Sequence, residues 1–220
     1  MPRLFFGNSV NFLENYIASL NLGVVSPSTS INGKNPSHSE PALLQLDAED
    51  MSKKKASWTP TPWRMIKLNV DAGFDANTQH AGLGFVARIH MGEVIFSGWS
   101  SNHLCYSAKE VECLAALVGI RRTLSVYKGS IWLESNCLAT VQALNDSTTN
   151  RSTSCFIIEE AKKMLQIFQR FKVSRCNQSA NGVAHDFGQI GRRDFFSVFI
   201  SEGIPACVSR RYTMILNMLC

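Results

Sequence analysis

Ile66-Lys-Leu-Asn-Val-Asp71 decides how this chain is read. Ile66, Leu68 and Val70 alternate with Lys67, Asn69 and Asp71, the period of a strand buried on one side. Outward from it, Ala81 to Ile89 and Val94 to Trp99 read as two further strands. His90-Met-Gly-Glu93 between them reads as a hairpin turn, with Gly92 free to take a positive φ. Ser107-Ala-Lys-Glu110 has the spacing of a capping box and predicts a long helix to about Tyr127, stopped by Lys128-Gly129. A fourth strand follows at Ile131 to Glu134, a short helix at Cys137 to Leu144 and a longer one at Cys155 to Phe168. Phe171 to Cys176 gives a last strand, and Asn181 is placed to cap a final helix through about Val198. Three strands, a helix, a strand, helices, a strand and a helix make a layered α/β fold with a mixed sheet.

The bulk numbers fit one domain with a tail. The chain has 220 residues and 45% hydrophobic content, enough for a core. Net charge is +5 and the pI is near 8.9, a mild basic bias compatible with a polyanionic partner. Seven Cys are scattered with no C-x-x-C pair and no zinc spacing, which reads as reduced thiols in a cytosolic or nuclear setting rather than a secreted one. No apolar run is long enough to span a bilayer. Residues 1 to about 22 carry an apolar pattern that suits a short amphipathic helix or a disordered tail. Gly23 to Ser57, rich in Ser, Pro, Asn and Lys, reads as a linker. The expected division is therefore 1–57 as an N-terminal segment, 58–200 as the folded domain and 201–220 as a C-terminal tail.

Four stretches carry the candidate chemistry: Lys67-Leu-Asn-Val-Asp71, Val111-Glu-Cys-Leu-Ala115, Leu133-Glu-Ser-Asn136 and Asn181-Gly-Val-Ala-His185. The first three read as a strand end, a helix start and a strand-to-helix corner, where α/β sheets gather functional groups. Asp71 precedes Ala72-Gly73 and also suits a turn. Glu112 shares a helix face with Ala115, Ala116 and Gly119, small residues that let a helix lie close to a sheet. A carboxylate there needs a partner or a metal. Asn136 is an amide where a hard cation would want an acid, and Asn is also a good N-cap. Glu134, two residues back, is about 7 Å away, too far to replace a lost ligand without rearrangement. His185 lies one turn into the last helix. His80, His90 and His103 read as surface or turn residues.

From Trp58 onward the chain resembles the plant ribonuclease H-like domain of non-LTR retroelements and their host-encoded relatives. The phrases that carry the resemblance are Trp58-Thr-Pro-Thr-Pro62, Lys67 to Asp71, Ala81 to Arg88, Glu112 to Gly119, Leu133 to Asn136, Val141-Gln-Ala-Leu144 and Asn181 to His185, in that order. The resemblance implies a five-stranded mixed sheet with the first three strands antiparallel and helices on both faces. It implies cleavage of the RNA strand of RNA–DNA hybrids with two Mg²⁺ or Mn²⁺ ions. Asp71, Glu112 and the residue at 136 would hold the ions, and the residue at 185 would complete the set. The chain departs from the pattern at Asn136, where Asp is usual, at His185, where active relatives carry Asp, at Gln178, where Arg is usual, and at Gly188-Gln-Ile190.

Mg²⁺ wants anionic oxygens in octahedral geometry, and two such ions activate the attacking water and stabilise the leaving oxygen. A missing anionic ligand worth about 3 kcal/mol reduces the rate roughly a hundredfold. The expectation is a monomeric, impaired ribonuclease acting on RNA–DNA hybrid. The alternatives are a non-catalytic module for hybrid or double-stranded RNA, and an inert retroelement-derived remnant.

Overall fold

The computed structural model describes residues 58–102, 104–147, 153–201 and 203–204. The expected N-terminal segment, most of the C-terminal tail and His103 lie outside the described residues.

Strands β1 (Met65–Asp75), β2 (His80–Arg88) and β3 (Val94–Asn102) form an antiparallel meander. Helix α1 (Ala108–Leu124) leads to β4 (Ser130–Ser135), which pairs parallel to β1 in the register Ile66↔Ile131, Leu68↔Leu133. Helices α2 (Leu138–Asn145) and α3 (Cys155–Leu165) lead to β5 (Arg170–Arg175), parallel to β4. Helix α4 (Gly182–Asp194) and a short β6 (Val198–Ile200) close the described fold. The sheet order is β5-β4-β1-β2-β3-β6.

The period-two pattern of β1 divides the molecule. Ile66, Leu68 and Val70 join the main core under α1, α2 and α3. On the opposite face Val86, Trp99, Val183, Ala184 and Phe187 pack α4 onto the sheet, and Trp58 belongs to that second cluster. Two close approaches set the helix heights. A Cβ on Gly119 would stand 2.7 Å from Val70 Cγ1, so α1 rests on β1 by its small-residue face. On the other side Gly82 and Gly84 of β2 meet the backbone of α4 so closely that a Cβ on either would collide with carbonyl oxygens, those of Gly188 and Ala184 respectively.

Several local expectations are corrected. The sheet has six strands, not five. The sixth arises because α4 ends at Phe195 in the left-handed conformation (φ 57°) and the chain turns back to pair with β3, so the final helix stops short of Val198. Helix α1 ends at Leu124 with Ser125 as its cap, before Tyr127. The capping box is half made: Ser107 Oγ accepts from Glu110 N at 3.2 Å, while Glu110 Oε2 accepts from Tyr106 N at 2.8 Å instead of Ser107. His80 is 2% exposed rather than a surface residue. Its Nδ1 lies 2.6 Å from the Arg192 carbonyl and its Nε2 2.8 Å from Ser101 Oγ. A carbonyl only accepts, so Nδ1 is the donor in the bond to Arg192. The hairpin at Gly92 (φ 85°) forms as read, with Ile89 N donating to Glu93 O at 3.0 Å.

Candidate active site

Parallel pairing of β1 and β4 brings their carboxyl ends level, since Val70 lies opposite Ser135. Asp71 and Asn136 follow those two residues, at the edge where open α/β sheets bind ligands. Helix α1 adds Glu112 from its first turns, and α4, seated on the glycines of β2, adds His185.

Asp71 is 1% exposed. Its Oδ1 accepts from the Ala72 amide at 2.9 Å, and its Oδ2 lies 2.9 Å from His185 Nδ1. Burial pushes the Asp71 carboxyl up, opposed by the Ala72 amide and His185. Glu112 is pushed up to about 8, first by burial and then by the charge of Asp71. Two ionised carboxylates only accept, so they can bond each other only when one holds a proton. Glu112 Oε2 is buried and has no hydrogen-bond partner.

Asn136 is half-buried, and its Oδ1 accepts from Asn181 Nδ2 at 3.0 Å. The same Asn181 nitrogen donates to the Val70 carbonyl at 2.8 Å, one residue before Asp71. Neither Asn caps a helix with its side chain. The N-cap of α2 is Cys137, and Asn181 makes no side-chain cap bond although it holds the N-cap position of α4. The two amides instead tie β4, α4 and β1 together. All four sequence-expected positions thus share one end of the sheet: Asp71 is hydrogen-bonded to His185 and electrostatically linked to Glu112, and Asn136 joins through Asn181. Sequence reasoning missed the role of Asn181. Its composition signal, an Asn before a helix, points to a cap, and nothing local announces a contact 111 residues away.

Glu134 is unavailable to the site. Its Oε1 pairs with Lys67 Nζ at 2.7 Å and its Oε2 accepts from Asn69 Nδ2 at 3.2 Å. Lys67 is fully buried, and the Trp58 and Trp132 rings flank its ammonium at 5.3 and 4.3 Å. Burial lowers the Lys67 pKa, and Glu134 partly restores it. Asn69 Oδ1 accepts from Trp58 Nε1 and from Arg88 Nη1, each at 3.1 Å. This packed polar layer lies on the α4 side of β1, directly beneath the site. Among the described residues no three His, Cys, Asp or Glu are arranged to hold a metal ion. The five described cysteines are free thiols.

The donor chemistry suits a divalent cation in part. Asp71 and Glu112 bring two opposed carboxyls and an unsatisfied oxygen, a combination that a cation would relieve. Asn136 brings an oxygen with no charge, already engaged by Asn181.

The family model described as reverse transcriptase-like matches residues 69–190, which contain Asp71, Glu112, Asn136 and His185. Among solved structures, the chain resembles ribonuclease H1 of Halobacterium salinarum NRC-1, with 14% identity and a TM-score of 0.55 over 59% of this chain and 98% of that one. The N-terminal ribonuclease H domain of Mycobacterium tuberculosis rv2228c matches at 12% identity and TM-score 0.54, over 60% of this chain and 95% of that one. LC11-RNase H1, solved in complex with RNA/DNA hybrid, matches at 13% identity and TM-score 0.51, over 59% of this chain and 98% of that one. At such identities the likeness shows the ribonuclease H fold. No curated protein matches the chain in sequence.

Proposed function

We propose that this chain, which belongs to the reverse transcriptase-like family, binds RNA–DNA hybrids and hydrolyses their RNA strand at the Asp71–Glu112 site, with activity reduced by Asn136. One observation carries the proposal. Two carboxyls from different elements meet at the carboxyl ends of parallel strands; burial opposes the ionisation of both, and the charge of Asp71 further opposes that of Glu112. Structural ion pairs lower the energy of charges, whereas this pair raises it, a state that functional sites maintain for a cation or a proton.

Asp71 and Glu112 would hold a divalent cation, Mg²⁺ or Mn²⁺, with the Asn136 amide oxygen as a neutral third donor. When bound, the cation supplies Lewis acidity at the scissile phosphate. The chain's own groups do the rest. Asp71 fixes the His185 ring through Nδ1, which leaves Nε2 as the ring atom able to hold or move a proton. Asn181 fixes Asn136 and the Val70 carbonyl. Hydrolysis joins a water oxygen to phosphorus and breaks the bond to the 3′ oxygen, leaving a 3′-hydroxyl. The hybrid complex of LC11-RNase H1 supports the substrate class by analogy of fold. The finer origin, a plant domain derived from a non-LTR retroelement, rests on the order of the sequence phrases. A domain start at 58 is supported by the buried Trp58; near the proposed end at 200, Ser97 Oγ still donates to the Gly203 carbonyl at 2.8 Å and Ile204 packs on the second cluster.

A second proposal is a hybrid- or double-stranded-RNA-binding module without catalysis. It is favoured by the engagement of Asn136 Oδ1 with Asn181, which leaves the third ligand position neutral and occupied. Cleavage of end-labelled hybrid in Mg²⁺ or Mn²⁺ separates the two. The catalytic proposal expects weak cleavage, lost in Asp71→Asn and raised about a hundredfold in Asn136→Asp, since one restored ligand is worth ~3 kcal/mol. Cleavage insensitive to Asp71→Asn would refute it. Salt-dependent hybrid binding with no cleavage even in Asn136→Asp would support the module.

A further inference from the structure

The opposite end of the same sheet carries a second, chemically different site. Met65, Ser130 and Arg170 are the first residues of β1, β4 and β5. Around them lies a cavity of about 610 Å³, within the ~300–1,000 Å³ range of ligand pockets. From Met65 to Asp71 along β1 is about 20 Å at ~3.3 Å per residue, so this cavity stands apart from the carboxylate pair. Its ten lining residues include Arg64, Lys128 and Arg170 and no Asp or Glu. Among the described residues none of those three cations makes an ion pair with a carboxylate.

The walls are built rather than incidental. Arg64 takes a positive φ of 69°, a costly conformation for a side chain of its size. The turn that holds it is closed by Met65 N donating to Pro62 O at 3.2 Å and by Thr61 Oγ1 donating to Met65 O at 2.8 Å. Tyr127 forms the floor: its hydroxyl donates to the Arg64 carbonyl at 3.4 Å and accepts from Ser130 N at 3.1 Å. Gln169 N donates to Lys128 O at 2.9 Å and fixes the far wall. Arg64 Nε is buried with no hydrogen-bond partner, an unsatisfied donor at the pocket wall. Above it Trp63 is 54% exposed, with the Arg64 guanidinium 4.3 Å from its ring centroid. One ring face is covered by a cation and the ring remains half open.

The geometry points to a binding site for single-stranded nucleic acid at this end of the sheet, with one base stacked on Trp63 and its flanking phosphates held by Arg64, Lys128 and Arg170. Three uncompensated cations without a nearby acid select an anion. An exposed indole backed by guanidinium is a stacking platform for a base of any identity. A volume of about 610 Å³ suits a nucleotide unit, and stacking on Trp63 needs a base free of its duplex partner, so the occupant is a single strand. Beyond Arg170, Lys172 stands on the same face of β5 and Arg175 at its end, so the exposed edge strand continues the positive charge toward the carboxylate end. This site does not rest on the proposed hydrolysis and contains none of its residues.

The test uses the full chain and a fluorescein-labelled twelve-residue oligodeoxythymidine, followed by anisotropy, in the Asp71→Asn background so that cleavage does not enter; the substitutions at Trp63, Lys128 and Arg170 separate binding in this cavity from binding at the carboxylate site. Three phosphate contacts at ~0.7 each give a log–log salt slope near −2, about a twentyfold loss of affinity between 50 and 200 mM salt. Trp63→Ala weakens binding about fivefold or more and Trp63→Phe restores most of it. Lys128→Glu with Arg170→Glu weakens it further and flattens the salt slope. Melting temperatures near wild type show that these exposed substitutions leave the fold intact. Binding within twofold of the parent in both Trp63→Ala and the double charge reversal overturns the inference. So does equal affinity for an oligoglutamate peptide, which would mark the pocket as a general acidic-peptide site.

Discussion

Glu112 should make the protein less stable as pH rises through neutrality. Its carboxyl belongs near 4.5 in the unfolded chain and at about 8 in the fold, because burial and then the Asp71 charge oppose ionisation. A folded-state value above the unfolded one means that the fold prefers the protonated acid. No penalty applies below pH 4.5; it grows from there to about pH 8 and is constant above. The span is about 3.5 pH units, and at ~1.4 kcal/mol per unit it sets a ceiling of about 5 kcal/mol. Glu112 is partly open to solvent, so a loss of roughly 2–3 kcal/mol is the working expectation. The assay is urea unfolding at pH 5 and pH 8 in EDTA, on the parent and on Glu112→Gln. Contributions shared by both proteins, including that of Lys67, cancel in the comparison. Glu112→Gln should be more stable than the parent at pH 8 and similar at pH 5. Asp71→Asn should narrow the parent's pH window, since it removes the second cause of the elevated value. Millimolar Mg²⁺ at pH 8 should recover part of the loss in the parent and little in Glu112→Gln. If the two proteins lose stability in parallel between pH 5 and pH 8, Glu112 does not carry the proton assigned to it.

Three further outcomes are expected. Asn181→Ala removes the donor shared by Val70 O and Asn136 Oδ1 and should cost ~1–3 kcal/mol in urea unfolding. Lys67→Met strands the Glu134 carboxylate in the polar layer and should cost ~3–5 kcal/mol, while adding Glu134→Leu should recover much of that loss; additive penalties in the double variant would contradict the pairing. Gly84→Ala drives a methyl into the Ala184 carbonyl and should cost about 3 kcal/mol or more, measured as a lowered melting temperature; a neutral result would mean that α4 rides higher on the sheet.

Most of the fold was legible because its signals are local. The alternation at Ile66 to Asp71 and the apolar spacing of Cys155 to Phe168 each declare an element locally, although the helix ends at Leu165, three residues earlier than read. The sixth strand was not legible, since Val198 to Ile200 is three residues long and forms where the chain turns back at Phe195 to pair beside β3. The site divides in the same way. Asp71, Glu112, Asn136 and His185 could be singled out by residue type and by position at element ends. Their coupling could not, because the Asp71 to His185 bond and the Asn181 bridge join residues more than 100 positions apart. Glu134 shows the same limit: strand spacing excludes it as a ligand, and only the structure shows the buried lysine that engages it.

Where β2 meets α4 through Gly82, Gly84, Gly188 and Gly191, main chain rests on main chain with no side chain between to absorb change. A substitution survey scored only by hybrid cleavage would therefore rank these four positions beside Asp71, although none of them touches the reacting phosphate under the proposed mechanism. Counting folded protein alongside product would sort the two groups: the glycines would fail on abundance, the carboxylates on turnover alone.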